Sequence, residues 1–270
     1  MVYIEVKFEN TSEELNNILV AVLSESHYEG FEEDQAYLKA FIPQYLFDKA
    51  LLDHLIKTFK TDYFITQLPE TNWNNVWESN FQPVSVDDFC AIRADFHETV
   101  RHVRHQIVIT PKMSFGTGHH ATTFMMIRQM KEINFNGKKV LDFGTGTGVL
   151  AILAEKLGAS TVTAIDNDDW SIANAQENFR KNGAVKIALK KADTAADDKK
   201  FDIVLANITR NVILDNFSLF MKHLTDKGIL LLSGLLQDDE GLILESAKVH
   251  GLSLAKKSIR EKWISLKFSK

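Results

Sequence analysis

The stretch Val140-Leu141-Asp142-Phe143-Gly144-Thr145-Gly146-Thr147-Gly148 decides the fold. An apolar strand runs into three alternate glycines, and Val149–Leu157 then reads as a helix. Glycines there let the backbone turn tightly and approach a ligand without a Cβ in the way. A dinucleotide fingerprint would put its third glycine at 149, which is valine here. Asp142 lies two residues before the first glycine, where a carboxylate repels a pyrophosphate and suits a cationic or neutral ligand. No Gly-Lys-Ser/Thr follows, so the phosphate-cradling nucleoside triphosphate loop is absent too.

Working outward, strands and helices alternate. Strands are expected at Lys139–Phe143, Ser160–Asp166, Val185–Leu189, Phe201–Ala206 and Gly228–Ser233, and near Leu252–Lys256 and Trp263–Phe268. Helices are expected at Thr122–Lys131, Val149–Leu157, Asp168–Asn182, Arg210–His223 and Leu235–His250. Two short strands, Phe89–Ala94 and His105–Thr110, precede them. This pattern predicts an α/β fold with a parallel sheet covered on both faces and a ligand at the carboxyl ends of its strands. Asp166 ends the second strand 22 residues after Gly144, placed to accept both hydroxyls of a ribose. A ribose without a diphosphate, beside an acidic loop, describes S-adenosylmethionine. Asp193 follows the third strand, either as an adenine contact or as an ordinary loop carboxylate. Asn207 ends the fourth, as a helix cap, a ligand contact or both.

Residues 1–68 read differently. Strand, helix, two strands, helix and strand follow in the order β-α-β-β-α-β, a ferredoxin-like α+β motif. Its second helix is expected to run to Phe59 with Pro43 in its first turn. Five lysines against twelve carboxylates give this segment a net charge of −7, leaving +2 for the other 202 residues of a chain whose total is −5. Residues 69–85, with Trp73, Trp77, Phe81 and Pro83, read as a short linker helix whose aromatics dock against a domain, and 86–270 as the catalytic domain.

Composition excludes several classes. At 270 residues, 45% hydrophobic and 25% charged, the chain is ordinarily globular. Its net acidity argues against general nucleic-acid binding. A single cysteine, Cys90, leaves no internal disulfide and no zinc cluster. The run Gly228–Leu236 is too short to span a bilayer, and the alternating MVYIEVKFEN start lacks a signal-peptide block. A soluble, cytoplasmic protein is expected. The histidines at 97, 102 and 105 lack helix-spaced, carboxylate-supported ligands, so a solvated hairpin is expected there and no metal.

A longer signature lies upstream: Thr110-Pro111-Lys112-Met113-Ser114-Phe115-Gly116-Thr117-Gly118-His119-His120-Ala121-Thr122-Thr123. With the glycine loop and Asp166, it resembles the Rossmann-like S-adenosylmethionine-dependent methyltransferases, and in particular the ribosomal protein L11 methyltransferase family. The resemblance covers essentially the whole chain, including the acidic N-terminal module and Ala206-Asn207-Ile208, where many methyltransferases carry Asn-Pro-Pro-Tyr. It implies a seven-stranded Rossmann-like catalytic domain and transfer of methyl groups from S-adenosylmethionine to lysine side-chain and N-terminal amines of ribosomal protein L11, with S-adenosylhomocysteine as product. It places cofactor contacts on Thr123, Gly144, Asp166 and Asn207. The Phe115, Gly116, Thr117 and Gly118 loop would close over the methyl donor, and Asp142, Gly146, Gly148 and Asp193 would complete the donor site. Asn207 is the expected catalytic residue, with His120 as a general base or, preferably, a loop-shaping residue. A monomer that needs neither membrane nor nucleic acid is expected.

Three other readings stay open on sequence alone. Small-molecule methylation would leave the acidic module unexplained. A silent cofactor-binding module is opposed by the intact glycine loop, Asp166 and the 115–123 segment. An NAD oxidoreductase is opposed by Val149 and Asp142.

Overall fold

Apolar residues at every second position make β1 (Tyr3–Glu9), which buries Ile4, Val6 and Phe8 and leaves their neighbours partly exposed. In the computed structural model, which describes residues 2–9, 11–33, 37–59, 61–68, 81–111, 116–194 and 199–270, the chain divides into two units, Met1–Ser79 and Asn80–Lys270. The first unit continues through α1 (Glu13–Glu25), β2 (Gly30–Glu33), β3 (Tyr37–Pro43), α2 (Lys49–Phe59) and β4 (Asp62–Leu68). Its antiparallel sheet has the order β2-β3-β1-β4, the ferredoxin-like arrangement. Ile4 pairs with Ile42 and Phe8 with Leu38, and this face shares one core with Leu19 and Leu23 of α1 and Leu52 and Leu55 of α2. Ser12 caps α1 by accepting from the Leu15 amide at 3.2 Å.

The second helix starts later than expected from Pro43. Pro43 is extended (φ −56°, ψ 133°) and ends β3 opposite Tyr3. Its ring fixes φ alone, and strand pairing settles ψ. The cap is Asp48, whose carboxylate accepts from the Ala50 amide at 2.8 Å.

The second unit opens with a three-stranded sheet of β5 (Val84–Val86), β6 (Cys90–Ala94) and β7 (His105–Ile109). β5 occupies the end of the expected 69–85 linker, and Trp73 and Trp77 lie outside the described residues. The segment between β6 and β7 is not the expected hairpin, because those strands run parallel. Its crossover is held by Arg93, which donates to the carbonyls of Ala94 and His97 at 2.9 Å each. Cys90 is buried in β6, and desolvation pushes its thiol up to about 12.

The main sheet comprises β8 (Lys139–Phe143), β9 (Thr161–Asp166), β10 (Ile187–Lys191), β11 (Phe201–Asn207), β12 (Leu224–Leu236), β13 (Ser253–Arg260) and β14 (Trp263–Ser269). Its order is β10-β9-β8-β11-β12-β14-β13. The first five strands are parallel, and β14 runs antiparallel between β12 and β13. This is the Rossmann-like seven-stranded arrangement. Consecutive residues of β8 serve opposite cores: Val140 packs with Ile127 of α3 (Ala121–Met130) and Ile152 of α4 (Val149–Lys156), and Leu141 with Phe217 and Phe220. The chain moves one way through β8, β9 and β10, then back past β8 to β11 and β12, so a crevice opens at the β8/β11 switch point.

Two expected helices differ. Arg210–His223 is broken into α6 (Arg210–Asp215) and α7 (Phe217–His223), with α5 (Asp169–Lys181) preceding them. Asn216 sits at the break and donates its side-chain amide to the Val212 carbonyl at 2.9 Å, competing with the helix ladder. Leu235–His250 begins only at Glu240, as α8 (Glu240–Val249). Leu235 and Leu236 remain in β12, paired with Ile264 and Trp263, because two neighbouring strand partners outweigh a helical apolar period. Among the described residues no helix is long and apolar enough to cross a membrane.

Candidate active site

The glycine loop is tied to the end of β9 at once. The amides of Gly144 and Thr145 both donate to the Ile165 carbonyl at 2.9 Å. The Gly146 amide donates to Asp166 Oδ2 at 2.9 Å and the Asp168 amide to Asp166 Oδ1 at 3.1 Å. Each carboxylate oxygen can accept two hydrogen bonds, so Asp166 keeps capacity for two ligand hydroxyls after binding these amides. Asp168 in turn caps α5, accepting from the Ser171 amide at 2.8 Å.

A cleft of about 580 Å³ opens where β8, β9, β10 and β11 end. One end is lined by Phe143, Gly144, Gly146, Ile165, Asp166 and Ala192, with Asn167 and Asp193 joined at its rim by a 3.0 Å hydrogen bond. The other end is lined by Ile208, Thr209, Val212, Gly234, His120 and Trp263, and Asn207 lies between the two sets in the fold. A small recess beside the glycine loop includes Gly116, Thr123 and Asn207. Asn207 donates to Thr123 Oγ1 at 3.2 Å, while its Oδ1 is buried without a hydrogen-bond partner. Among the described residues lining cleft and recess there is no lysine or arginine.

These features fit S-adenosylmethionine. Asp166 has acceptor capacity for a ribose, Phe143, Ile165 and Ala192 offer apolar surface for an adenine, and a lining without lysine or arginine among the described residues suits a sulfonium. A diphosphate would find carboxylates and no cation. The cleft volume lies within the range of small-molecule sites, about 300–1,000 Å³.

The family model described as "Ribosomal protein L11 methyltransferase (PrmA)" matches residues 5–270. The chain belongs to the ribosomal protein L11 methyltransferase family. A Porphyromonas gingivalis member named "Ribosomal protein L11 methyltransferase" is 40% identical over 97% of this chain and 93% of its own. One from Bacteroides fragilis is 36% identical over 99% of both. The crystal structure of a ribosomal protein L11 methylase from Lactobacillus delbrueckii subsp. bulgaricus, 31% identical, superposes with a TM-score of 0.66 over 70% of this chain and 99% of that one. The chain is thus a methyltransferase, and S-adenosylmethionine is the methyl donor that its family and its cleft both imply.

The expected site residues divide by position. His120, Gly144, Gly146, Asp166, Asp193 and Asn207 line the cleft, and Gly116 and Thr123 line the recess. Phe115 lies outside the described residues. Gly116 is held against the glycine loop by Thr147, whose hydroxyl donates to its carbonyl at 2.9 Å. Thr117 faces His119 instead, at 3.3 Å. Gly118 packs on Ile92, and Gly148 forms the start of α4 against Phe179. Asp142 lines neither space. It is buried under the loop, where its Oδ2 accepts from Thr145 Oγ1 at 2.6 Å and its Oδ1 has no partner. His120 caps α3 by accepting from the Thr122 amide at Nδ1 (3.4 Å), which also lies 2.7 Å from Thr122 Oγ1, and it meets Trp263 edge to face with ring centres 4.6 Å apart. Burial holds its pKa below the usual histidine value.

Sequence reasoning missed Asn167, Gly234 and Trp263 as lining residues. Asn167 was detectable as the neighbour of Asp166. Gly234 and Trp263 arrive from strands 90 and more residues downstream and carry no local signal.

Two predictions follow from Asp166 and Asp142. Hydrogen bonds to charged groups contribute about 1.5–3 kcal/mol each, so losing two ribose contacts in Asp166→Ala should weaken S-adenosylmethionine binding by at least about 100-fold. Unchanged affinity by titration calorimetry would remove Asp166 from the ribose. Burial pushes the Asp142 carboxyl up to about 7, with the Thr145 hydroxyl opposing it. The folded chain therefore holds this proton more tightly than the unfolded chain. The resulting stabilisation is complete below about pH 4 and is lost as pH rises through about 7, by at most about 1.4 kcal/mol per pH unit. Asp142→Asn should remove this component from urea denaturation curves taken between pH 4 and 8; a profile identical to wild type would show that another group titrates.

Proposed function

We propose that this chain transfers methyl groups from S-adenosylmethionine to lysine side-chain and N-terminal amines of ribosomal protein L11. The relatives at 35–40% identity bear that protein's name, and the observation that carries the amine reading is the character of the cleft beyond Asn207. Ile208, Val212 and Trp263 line it, and among its described residues no carboxylate is present to hold a substrate as ammonium. A free lysine has a pKa of about 10.4, and the attacking nitrogen has to be neutral. Apolar walls disfavour the charged form and lower that value. When bound, S-adenosylmethionine supplies an electrophilic methyl carbon on a sulfonium.

The chain's own residues orient and exclude water. Asn207 offers its unpartnered Oδ1 to an N–H at the junction of the two ends, and Thr123 fixes the carboxamide from behind. Trp263 gives the acceptor an aromatic wall, attractive to the positive charge that develops as the amine is methylated. His120 engages Nδ1 as the α3 cap, which makes it a wall of the cleft in preference to a base; water at the mouth takes the proton. Correct positioning of the two reactants can lower a barrier by about 7–11 kcal/mol, so this chemistry requires no nucleophile from the protein.

The unit Met1–Ser79 supplies the recognition surface in this reading. Its first 68 residues carry −7, suited to a basic protein. The enzyme acts as a monomer in the cytoplasm, without membrane or nucleic acid.

The test is direct. Incubation of the full chain with labelled S-adenosylmethionine and ribosomal protein L11 should place label on lysine and N-terminal amines, located by mass spectrometry. Donor binding without label transfer would contradict the reading. Deleting residues 1–68 should leave donor affinity within about twofold by calorimetry and lower methylation of L11 at least tenfold. If the truncated chain methylates L11 at the full rate, the recognition role of the first unit is wrong.

A further inference from the structure

The Asn207-Ile208-Thr209 turn is gripped from both sides by glycines, and only one of them belongs to the donor loop. On the β8 side, a Cβ at Gly144 would overlap Ile208 Cγ2, the end of a flexible side chain. On the β12 side, a Cβ at Gly234 would overlap the Ile208 carbonyl oxygen and lie 2.7 Å from its carbonyl carbon and 2.9 Å from its nitrogen. Those are backbone atoms, which cannot swing aside. Gly234 also has φ +84°, in the left-handed region. It sits in the irregularity of β12 between Leu232 and Leu235, where register against β14 shifts. The residue before it closes the grip: the Ser233 carbonyl accepts from the Ile208 amide at 3.2 Å, and Ser233 Oγ donates to the Ile264 carbonyl at 2.9 Å. Beyond the bulge, Leu236 pairs with Trp263.

A regular β12 would leave no reason for a glycine at this point. The bulge brings the strand against the peptide that follows Asn207 and then returns to pairing beside the aromatic wall of the cleft. One short piece of backbone, Ser233–Leu236, thus sets the spacing between the turn that carries the Asn207 oxygen and the strand that carries Trp263. Both Gly234 and Trp263 line the cleft.

We infer that Gly234 is a positioning residue for the acceptor: its missing Cβ seats the Ile208 peptide and so fixes where the accepting nitrogen stands relative to the donor. This inference rests on the methyl-transfer reading above. It assigns the specificity of placement to β12, whereas donor affinity belongs to β8, β9 and the glycine loop. A displacement of about 1 Å in a reacting pair can cost about a hundredfold in rate, and a Cβ at 234 demands a shift of that order.

The experiment uses the full-length chain with S-adenosylmethionine and ribosomal protein L11. Gly234→Ala should bind S-adenosylmethionine within about threefold of wild type by calorimetry, while kcat falls roughly a hundredfold and KM for the protein changes little. A folded variant with kcat within threefold of wild type overturns the inference, as does one that loses donor affinity and kcat in parallel, since that is a general structural defect. Hydrogen exchange on the wild-type chain supplies a second readout that does not require the variant to fold. The peptide containing Ile208 should be protected to the same degree with and without donor. Fast exchange that slows only on donor binding would mean that the turn is shaped by the ligand and not by Gly234. If wild type itself transfers no label to L11 amines, the methyl-transfer reading fails instead.

Discussion

One buried carboxamide holds the donor side of this enzyme in register. Asn178 of α5 is fully buried, and its Oδ1 accepts from the Thr110 amide at 2.8 Å. Its Nδ2 donates to the Thr147 carbonyl at 2.8 Å and to Asn174 Oδ1 at 3.2 Å. Thr110 is where the chain leaves β7 for the segment that leads to Gly116, and Thr147 lies inside the glycine loop. One turn on, Asn182 exchanges two hydrogen bonds with Val108, accepting its amide at 3.0 Å and donating to its carbonyl at 2.6 Å. Asn174 donates to the Thr110 carbonyl at 3.2 Å, so asparagines at 174 and 178 of α5 and at its C-cap, 182, together satisfy the backbone at the end of β7 as a neighbouring strand would. A buried, unpaired backbone group costs about 1–3 kcal/mol, so this edge could not be enclosed without such partners. The ladder converts a sheet edge, a helix and the glycine loop into one body, against which Asp166 and Asn207 have fixed positions.

The acceptor side is built on another plan. Its residues come from the ends of β11, β12 and β14, and irregular backbone brings them together: the break at Asn216, the bulge at Gly234 and the tight turn before Trp263, where Glu261 has φ +57°. Asp239 links these parts, accepting from Arg210 Nη1 at 3.0 Å and from the Leu236 amide at 2.8 Å. Arg260 caps the arrangement by lying over the Phe124 ring, 3.9 Å from its centre, which ties the β13–β14 turn to the helix that carries Thr123. Donor geometry thus depends on a regular strand–loop–helix unit, and acceptor geometry on departures from regularity.

That difference explains what could be read from the sequence. The glycine loop, Asp166 and Asn207 lie at ends of strands whose apolar runs are unmistakable, and strand Lys139–Phe143 has the bounds its residues suggest. The ferredoxin-like order of the first unit follows from equally plain periodicity. Legibility fails where tertiary partners overrule a local signal. Pro43 looks like a first helical turn but is held extended by Tyr3 across the sheet. Leu235 and Leu236 fit a helical stripe but are claimed by β14. Asp142 reads as a ligand-facing carboxylate because it precedes the glycines; it points instead into the protein beneath them, since its neighbours in β8 alternate between two buried cores. Trp263 and Gly234 have no local mark at all, because their meaning lies in a register between strands and in the approach of a distant peptide.

The proposed substrate places two opposed electrostatic demands on the molecule. A basic protein is attracted by carboxylates, yet a carboxylate beside the accepting amine would stabilise its protonated form and block attack. At 4 Å an ion pair is worth about 4 kcal/mol at an effective dielectric of 20, equivalent to about three pKa units in the wrong direction. The distribution of charge answers both demands. The excess carboxylates lie in the first 68 residues. In the second unit, the acids among the described residues lining the cleft are Asp166 and Asp193, at the ends of β9 and β10 and away from Ile208, Val212 and Trp263 in the fold. The acceptor end is left to Asn207, a neutral acceptor that can direct an N–H without raising the basicity of the nitrogen that carries it. On this reading the separation into an acidic unit and a nearly neutral catalytic unit is a chemical requirement of methylating amines on a cationic partner.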